Sequence, residues 1–113
     1  MTTKEPKIFL EHILNSIEEI YNHIGEMGKD EFFEDVKTQD SVIRRMQIIG
    51  EAVKNIPDKF RINYPDIPWK DMAGLRDVLV HEYFDVDLEE IWALLSNDLK
   101  DLKVKINQAL NNI

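Results

Sequence analysis

The sequence contains no cysteine among its 113 residues. This excludes disulfides, thiolate nucleophiles and every metal site that needs a cysteine ligand. Glycine and proline number four each and never cluster into a linker, no apolar run approaches a membrane-spanning length, and the N-terminus lacks the apolar core of a secretory signal. We therefore expect one domain over residues 1–113, located in the cytoplasm and without a membrane partner.

Basic residues are in the minority, because 14 Lys and Arg stand against 22 Asp and Glu and give a net charge of −8. That balance argues against an indiscriminately basic nucleic-acid binder. The charge is uneven, however, since residues 41–76 carry seven basic and four acidic side chains and hold all four arginines. This basic middle is either ordinary surface pairing or a local phosphate-binding face.

Strand patterns are also missing, and apolar residues recur at helical spacing instead. The spacing predicts a first helix from Pro6 to Gly25, a long helix from Thr38 that Pro57 terminates, and another from Pro68 or Trp69 through His81. Residues 30–37 fit a short helix or the start of the next one, and residues 57–68 fit an irregular connector. Gly50 and Gly74 interrupt helical patterns, which indicates close helix packing at both.

The last helix is expected to begin at Asp87, with Asp87 as its N-cap and Glu90 as the capping-box partner. Its apolar residues then alternate three and four apart from Leu88 to Ile113. Such a heptad-like seam suits antiparallel packing or a partner helix. The sequence thus predicts an all-α fold, an antiparallel up-and-down bundle of four to five helices.

One helix ends in the pattern R-x-x-x-x-H-x-Y, formed by Arg76, His81 and Tyr83. Arginine offers a permanent cation whose planar fork matches phosphoryl oxygens, and histidine exchanges protons near neutral pH. Together they suffice for RNA cleavage without a metal, in which the ribose 2′-hydroxyl attacks the adjacent phosphate and leaves a 2′,3′-cyclic phosphate. Asp77 lies four residues before His81, on the same face, and could orient the imidazole.

Helical geometry limits this hypothesis, because Arg76 and His81 lie about 140° apart on a straight helix. A working site needs a helix that frays near His81, a long reach from Arg76, or a second copy of the motif across a dimer axis. A purely structural interpretation stays open beside it. His81 could cap its helix, Arg76 could pair with Asp77 or Asp71, and Tyr83 could fill a core edge.

Several segments resemble the HepT-like branch of the HEPN superfamily, which comprises small all-α ribonucleases of bacterial and archaeal toxin–antitoxin pairs. They are residues 40–52 (DSVIRRMQIIGEA), 64–69 (YPDIPW), 72–77 (MAGLRD) and 81–87 (HEYFDVD). The resemblance implies a homodimer in which paired motifs line a cleft, with Arg76 and His81 as catalytic residues. It also implies a cognate minimal nucleotidyltransferase antitoxin that transfers AMP to Tyr83. The family often has Asn where this chain has Asp77.

The remaining candidates are weaker. Arg44, Arg45 and Glu51 belong to a resembling segment and either line the dimer cleft, where the arginines contact the RNA backbone, or lie on a solvated helix face. Trp69 and Trp92 are expected to be core or interface anchors, Glu19 and His23 surface neighbours rather than metal ligands, and His12 carries no signal.

We therefore predict an endoribonuclease toxin that needs no metal or other cofactor, is silenced by AMPylation and cuts an RNA such as tRNA or mRNA. The acidic ends of the chain would contact a basic antitoxin surface. The alternative is a helical, non-catalytic docking or substrate-binding subunit of a nucleotidyltransferase.

Overall fold

The computed structural model describes residues 5–81 and 86–113, and those residues form helices without any strand. The helices are α1 (Pro6–Ile24), α2 (Lys29–Glu34), α3 (Val36–Lys54), α4 (Asp58–Arg61), α5 (Trp69–His81), α6 (Leu88–Ala93) and α7 (Leu99–Asn111), with a π-helical turn (Leu94–Asp98) between α6 and α7. The predicted all-α fold is confirmed. In this part of the chain, no helix has both the length and the apolar character needed to span a membrane.

Helix α1 begins and ends where the sequence predicts. Pro6 opens its first turn, where a missing N–H costs nothing, and Gly25 closes it with a positive φ of 56° while donating its N–H to the carbonyl of Tyr21. The stripe of Leu10, Ile13, Ile17 and Ile20 is buried against α3 and α7. One face of α1 is therefore part of the hydrophobic core.

Helix α3 begins at Val36, two residues before the predicted Thr38. The cause is Asp35, whose carboxylate accepts a hydrogen bond from the backbone N–H of Thr38 at 3.0 Å and caps the helix. This bond lowers the pKa of Asp35. The preceding residues form the separate short helix α2, which places Phe32 in the core.

The connector of residues 57–68 is less irregular than predicted, because it contains the single turn α4. Arg61 is the last residue of this turn, and its side chain extends back to the end of α3. It donates to the carbonyls of Val53 and Ile56 at 2.6 and 3.0 Å. Cations at a helix C-terminus complement its unsatisfied carbonyls. One of the four arginines of the basic middle is thus used to close α3.

The C-terminal helical segment is not the single regular helix that the heptad spacing predicts, since the π-helical turn interrupts it. Asp87 is the N-cap, as expected, but its carboxylate accepts from the N–H of Glu89 at 2.9 Å and not from that of Glu90. The buried residues of the segment include Leu95, Leu99 and Ile106, which the seam predicts, and Ile91, which it does not.

Candidate active site

Helices α3 and α5 approach each other most closely at Gly50. A Cβ added to this buried glycine would lie 2.2 Å from the Cβ of Arg76 and 2.8 Å from the carbonyl oxygen of Met72. No larger residue fits without a shift of α5. The predicted packing role of Gly50 is confirmed, and the close approach fixes the position from which the Arg76 side chain starts.

The same interpretation of Gly74 is wrong. A Cβ built there would meet no atom of the described chain within 4 Å, because Gly74 lies on the exposed side of α5. A helix pattern alone cannot distinguish a glycine that faces a neighbouring helix from one that faces solvent.

The Arg76 guanidinium is held between two carboxylates. Its Nε lies 3.0 Å from Glu51 Oε2, and its Nη1 lies 3.1 Å from Asp77 Oδ1. The side chain retains 27% of its exposure, so it is accessible while its direction is set by both partners. The pairing of Arg76 with Asp77 that the sequence left open is therefore present. Glu51, a candidate cleft residue, is a second partner whose ion pair with Arg76 was not predicted.

Asp77 pairs with two basic side chains, because its Oδ1 accepts hydrogen bonds from both Arg76 Nη1 and Lys54 Nζ. The bonds from Lys54 and then Arg76 lower the pKa of Asp77. Among the described residues, no hydrogen bond joins Asp77 to His81. Asp77 orients Arg76 in this chain, and its action on His81 stays a prediction.

His81 is the last residue of α5 and is exposed. Because the helix continues to this residue, Arg76 and His81 are about 140° apart around the axis and about 7.5 Å apart along it. The last turn is also anchored, as Gln47 Nε2 donates to the carbonyl of Leu79 at 3.2 Å. The structure thus shows α5 intact through His81, which favours a long reach or a second copy. Tyr83 lies outside the described residues.

A groove of about 320 Å³ opens beside Arg76, between α1, α3 and α5. We call it the basic groove. It is lined by Phe9, His12, Arg44, Gln47, Ile48, Glu51, Ala52, Asn55, Arg76 and Val80. Two arginines against one glutamate make it locally cationic in a chain of charge −8, so it can hold a phosphate while the rest of the protein repels one.

The structure separates the two candidate cleft arginines. Arg44 lines the basic groove together with Arg76 and makes no ion pair with a described residue, whereas Arg45 is half-buried and is not part of the groove. Neighbours on a helix point about 100° apart, so adjacent residues can face different surfaces, as Arg44 and Arg45 do here.

His12 is the groove residue that the sequence analysis missed. It lines the basic groove from α1, and its ring meets that of Phe9 edge-on at a centroid distance of 6.1 Å. No local motif could have found it, since His12 precedes Arg76 by 76 − 12 = 64 residues and only the packing of α1 against α3 brings it to the groove.

The two tryptophans are core anchors, as predicted. Trp69 is buried and donates its Nε1–H to the carbonyl of Tyr64 at 3.0 Å, and Trp92 is half-buried against Phe32 with ring centroids 5.3 Å apart. Neither ring is available as a stacking platform for a base.

In the described ranges, no three His, Asp or Glu residues form a group that could hold a metal ion. Glu19 and His23 lie 3.9 Å apart on α1 as an exposed i, i+4 pair.

Comparison with known families agrees with the geometry. A model of the family described as ribonuclease HepT-like matches residues 13–109, which include both α3 and α5. The chain belongs to the HepT-like ribonuclease family. Arg44, Arg76 and His81 all lie within the matched part, whereas Phe9 and His12 of the basic groove precede it.

Relatives of this HepT-like chain carry ribonuclease names. A "Gamma-glutamylcyclotransferase and putative RNase" of Methanocaldococcus jannaschii is 44% identical over 97% of this chain and 50% of its own length. A "Probable ribonuclease HepT" of Thermococcus cleftensis is 44% identical over 90% of this chain and 93% of its own. The chain thus spans about half the length of the first relative and nearly all of the second. No solved structure matches.

Proposed function

We propose that the protein is a metal-independent endoribonuclease, the toxin of a toxin–antitoxin pair, and that two copies complete each active site. The observation that supports this most is the separation within one chain: Arg76 lies in the basic groove, while His81 lies at the exposed end of α5, about 140° around the helix. Arg76 of one copy and His81 of another can meet across a two-fold axis.

The chemistry is an internal transfer at phosphorus. A base removes the proton of a ribose 2′-hydroxyl, the 2′-oxygen bonds to the adjacent phosphorus, and the bond from phosphorus to the 5′-oxygen of the next nucleotide breaks as that oxygen gains a proton. His81 serves as a proton-transfer group. Arg76, held by Glu51 and Asp77, stabilises the charge on the phosphoryl oxygens. The products are a 2′,3′-cyclic phosphate and a 5′-hydroxyl.

Exposed apolar residues beside the motif support the dimer. Val78 and Val80 retain 45% and 42% of their exposure on the last turns of α5, next to His81. Val80 also borders the basic groove, where Ile48 and Phe9 are half-buried. A second copy would cover these side chains and exclude water from the groove, which strengthens its electrostatic interactions.

We also propose that a nucleotidyltransferase antitoxin silences the protein at Tyr83, which lies two residues after His81 in the sequence. Transfer of AMP from ATP to the Tyr83 hydroxyl forms a phosphodiester and releases pyrophosphate. The modification adds bulk and negative charge beside the residue that must approach RNA. We propose this tyrosine as the regulated residue and not as a catalyst.

Subunit mixing tests the shared site. Arg76→Ala and His81→Ala proteins are each expected to be inactive on total RNA in EDTA. When they are unfolded together and refolded as a mixture, half of the dimers carry both variants, and one of the two sites in each such dimer is intact. Cleavage should therefore return to about a quarter of the wild-type rate.

Three controls make the result decisive. The double variant Arg76→Ala/His81→Ala mixed with either single variant should stay inactive, circular dichroism should show the wild-type helix content, and His23→Ala should cleave normally. If the mixture stays inactive while wild type cleaves, the sites are contained within single chains. If pure, unmodified wild type cuts no RNA, the protein is a non-catalytic docking subunit and the proposed activity is wrong.

A further inference from the structure

A second groove, of about 340 Å³, borders the same helix pair but shares no lining residue with the basic groove. We call it the acidic groove. Its floor is apolar and is contributed by three parts of the fold: Met46 and Ile49 of α3, Met72 and Leu75 of α5, and Leu94 and Leu99 of the C-terminal segment. Methionine side chains adapt to differently shaped apolar partners.

Four aspartates surround this floor: Asp66, Asp71, Asp98 and Asp101. Only Asp101 forms an ion pair with a described residue, to Lys105 Nζ at 2.9 Å. The carboxylates of the other three are exposed and make no ion pair with the described chain. The groove therefore combines an apolar floor with unpaired negative charge, an arrangement that is complementary to an apolar partner surface flanked by positive charge.

We propose that the acidic groove docks a basic amphipathic helix of a partner protein. Apolar residues of that helix at i, i+3 or i+4, and i+7 would enter the floor, and lysine or arginine residues beside them would pair with the rim. The proposal does not depend on the ribonuclease chemistry, because no residue of the basic groove takes part in it.

The chain itself shows how the rim holds a cation. Lys105 Nζ lies between the Asp101 carboxylate and the carbonyl oxygen of Asp66, to which it donates at 3.0 Å. One ammonium group thus bridges the connector before α5 and the helix α7. A lysine of a docked helix has comparable partners in Asp71 and Asp98, which no cation of the described chain occupies.

Charge also selects among the alternatives for this site. In a two-fold contact through this groove, a second copy would bring four more aspartates to the same place, and RNA would bring phosphates, so both are repelled. A basic helix is attracted by the negative potential of the same aspartates. The complementarity is thus specific for one class of partner.

The π-helical turn contributes to the shape of the groove. It supplies Leu94 to the floor and Asp98 to the rim, and it closes with an i+5 hydrogen bond from Leu99 N–H to the carbonyl of Leu94. Such turns within α-helices occur frequently at functional sites. Here the turn sets an apolar and a charged residue at the same opening.

Two synthetic peptides provide the test. Both have about 18 residues, or five turns of helix, with the same leucine face, and they carry either lysine or glutamate on their flanks. We expect the lysine peptide to bind the full-length protein in calorimetry, more weakly as salt increases, and to perturb the amide resonances of Leu75, Asp98 and Leu102. The glutamate peptide should not bind.

Charge reversal then locates the site. Asp71→Lys/Asp98→Lys should weaken binding of the lysine peptide by at least about tenfold. Glu11→Lys/Glu26→Lys, an equal change in net charge at residues that line neither groove, should weaken it much less. RNA cleavage should be equal in the two variants. Equal binding by both variants, resonance changes away from the groove, or binding of both peptides would overturn the proposal. A change in oligomeric state of Asp71→Lys/Asp98→Lys alone would also overturn it, because it would make the groove a self-interface.

Discussion

The basic and acidic grooves lie beside the same two helices and use their charges in opposite ways. In the basic groove, Arg76 is held between Glu51 and Asp77 at 3.0 and 3.1 Å. In the acidic groove, three of the four aspartates pair with no described residue. A charge fixed by its neighbours suits one reacting group at one place, whereas unpaired charges suit a partner that brings its own counter-charges.

The strongest effect is expected at Gly50, where α3 and α5 approach each other and set the position of Arg76 in the basic groove. We expect Gly50→Ala to lower the free energy of unfolding by about 1–3 kcal/mol, because the added methyl must displace the Arg76 Cβ and the Met72 carbonyl. RNA cleavage should fall as well, because the Arg76 side chain would start from a displaced position.

Gly74→Ala is the matched control for this substitution. It adds the same methyl to an exposed helix position with free space, so it should raise the free energy of unfolding by about 0.5–1 kcal/mol. Urea unfolding measures both variants. If Gly50→Ala is as stable as Gly74→Ala, the close approach does not determine the position of Arg76.

A comparison of Arg44 with Arg45 tests whether RNA binds in the basic groove. Arg44→Gln, in an inactive His81→Ala background, should weaken RNA binding about tenfold at about 0.1 M salt and reduce the slope of log affinity against log salt by about one. Arg45→Gln should leave both nearly unchanged, because Arg45 does not line the groove. Fluorescence anisotropy over a salt series measures this, and equal effects of the two variants would contradict the assignment.

The smallest effect concerns the carboxylate that orients Arg76. The pKa of Asp77 is below its ordinary value of 3.8 in the folded protein, first because of Lys54 and then because of Arg76. The unfolded chain therefore binds this proton more readily, so Asp77 stabilises the fold above pH 3.8 and loses that contribution as the pH falls through its lowered pKa.

Asp77→Asn should accordingly be less stable than wild type at neutral pH, with a difference that shrinks as the pH falls below 3.8. Thermal unfolding across pH measures this difference. In a Lys54→Met background the effect of Asp77→Asn should be smaller, because the main cause of the shift is gone. A difference that is independent of pH would show that the carboxylate charge does not contribute.

Much of the fold could be predicted from local sequence. Pro6 and Gly25 mark the ends of α1, and the apolar stripes locate α3 and α5, because each signal acts within one helix. The π-helical turn could not be predicted, since a spacing of three and four residues describes side chains and not the hydrogen bonds beneath them. The start of α3 was missed because Asp35 was not recognised as its cap.

The sequence could identify residues of the candidate site only where they form a local motif. Arg76 and His81 form one motif, but Glu51, His12 and Lys54 reach Arg76 or its groove through packing between helices. Charge counting along the chain likewise failed for the acidic groove, since Asp66 and Asp71 belong to the stretch of residues 41–76 whose net charge is positive. Surface charge is set by which residues meet in space.

The small size of the basic groove has a kinetic consequence. At a distance, RNA meets a body of net charge −8, and only within about a Debye length, about 10 Å at 0.1 M salt, does it meet Arg44 and Arg76. Added salt therefore accelerates the first encounter by screening repulsion while it shortens the lifetime of the bound complex. The rate of RNA capture is thus expected to pass through a maximum at intermediate ionic strength.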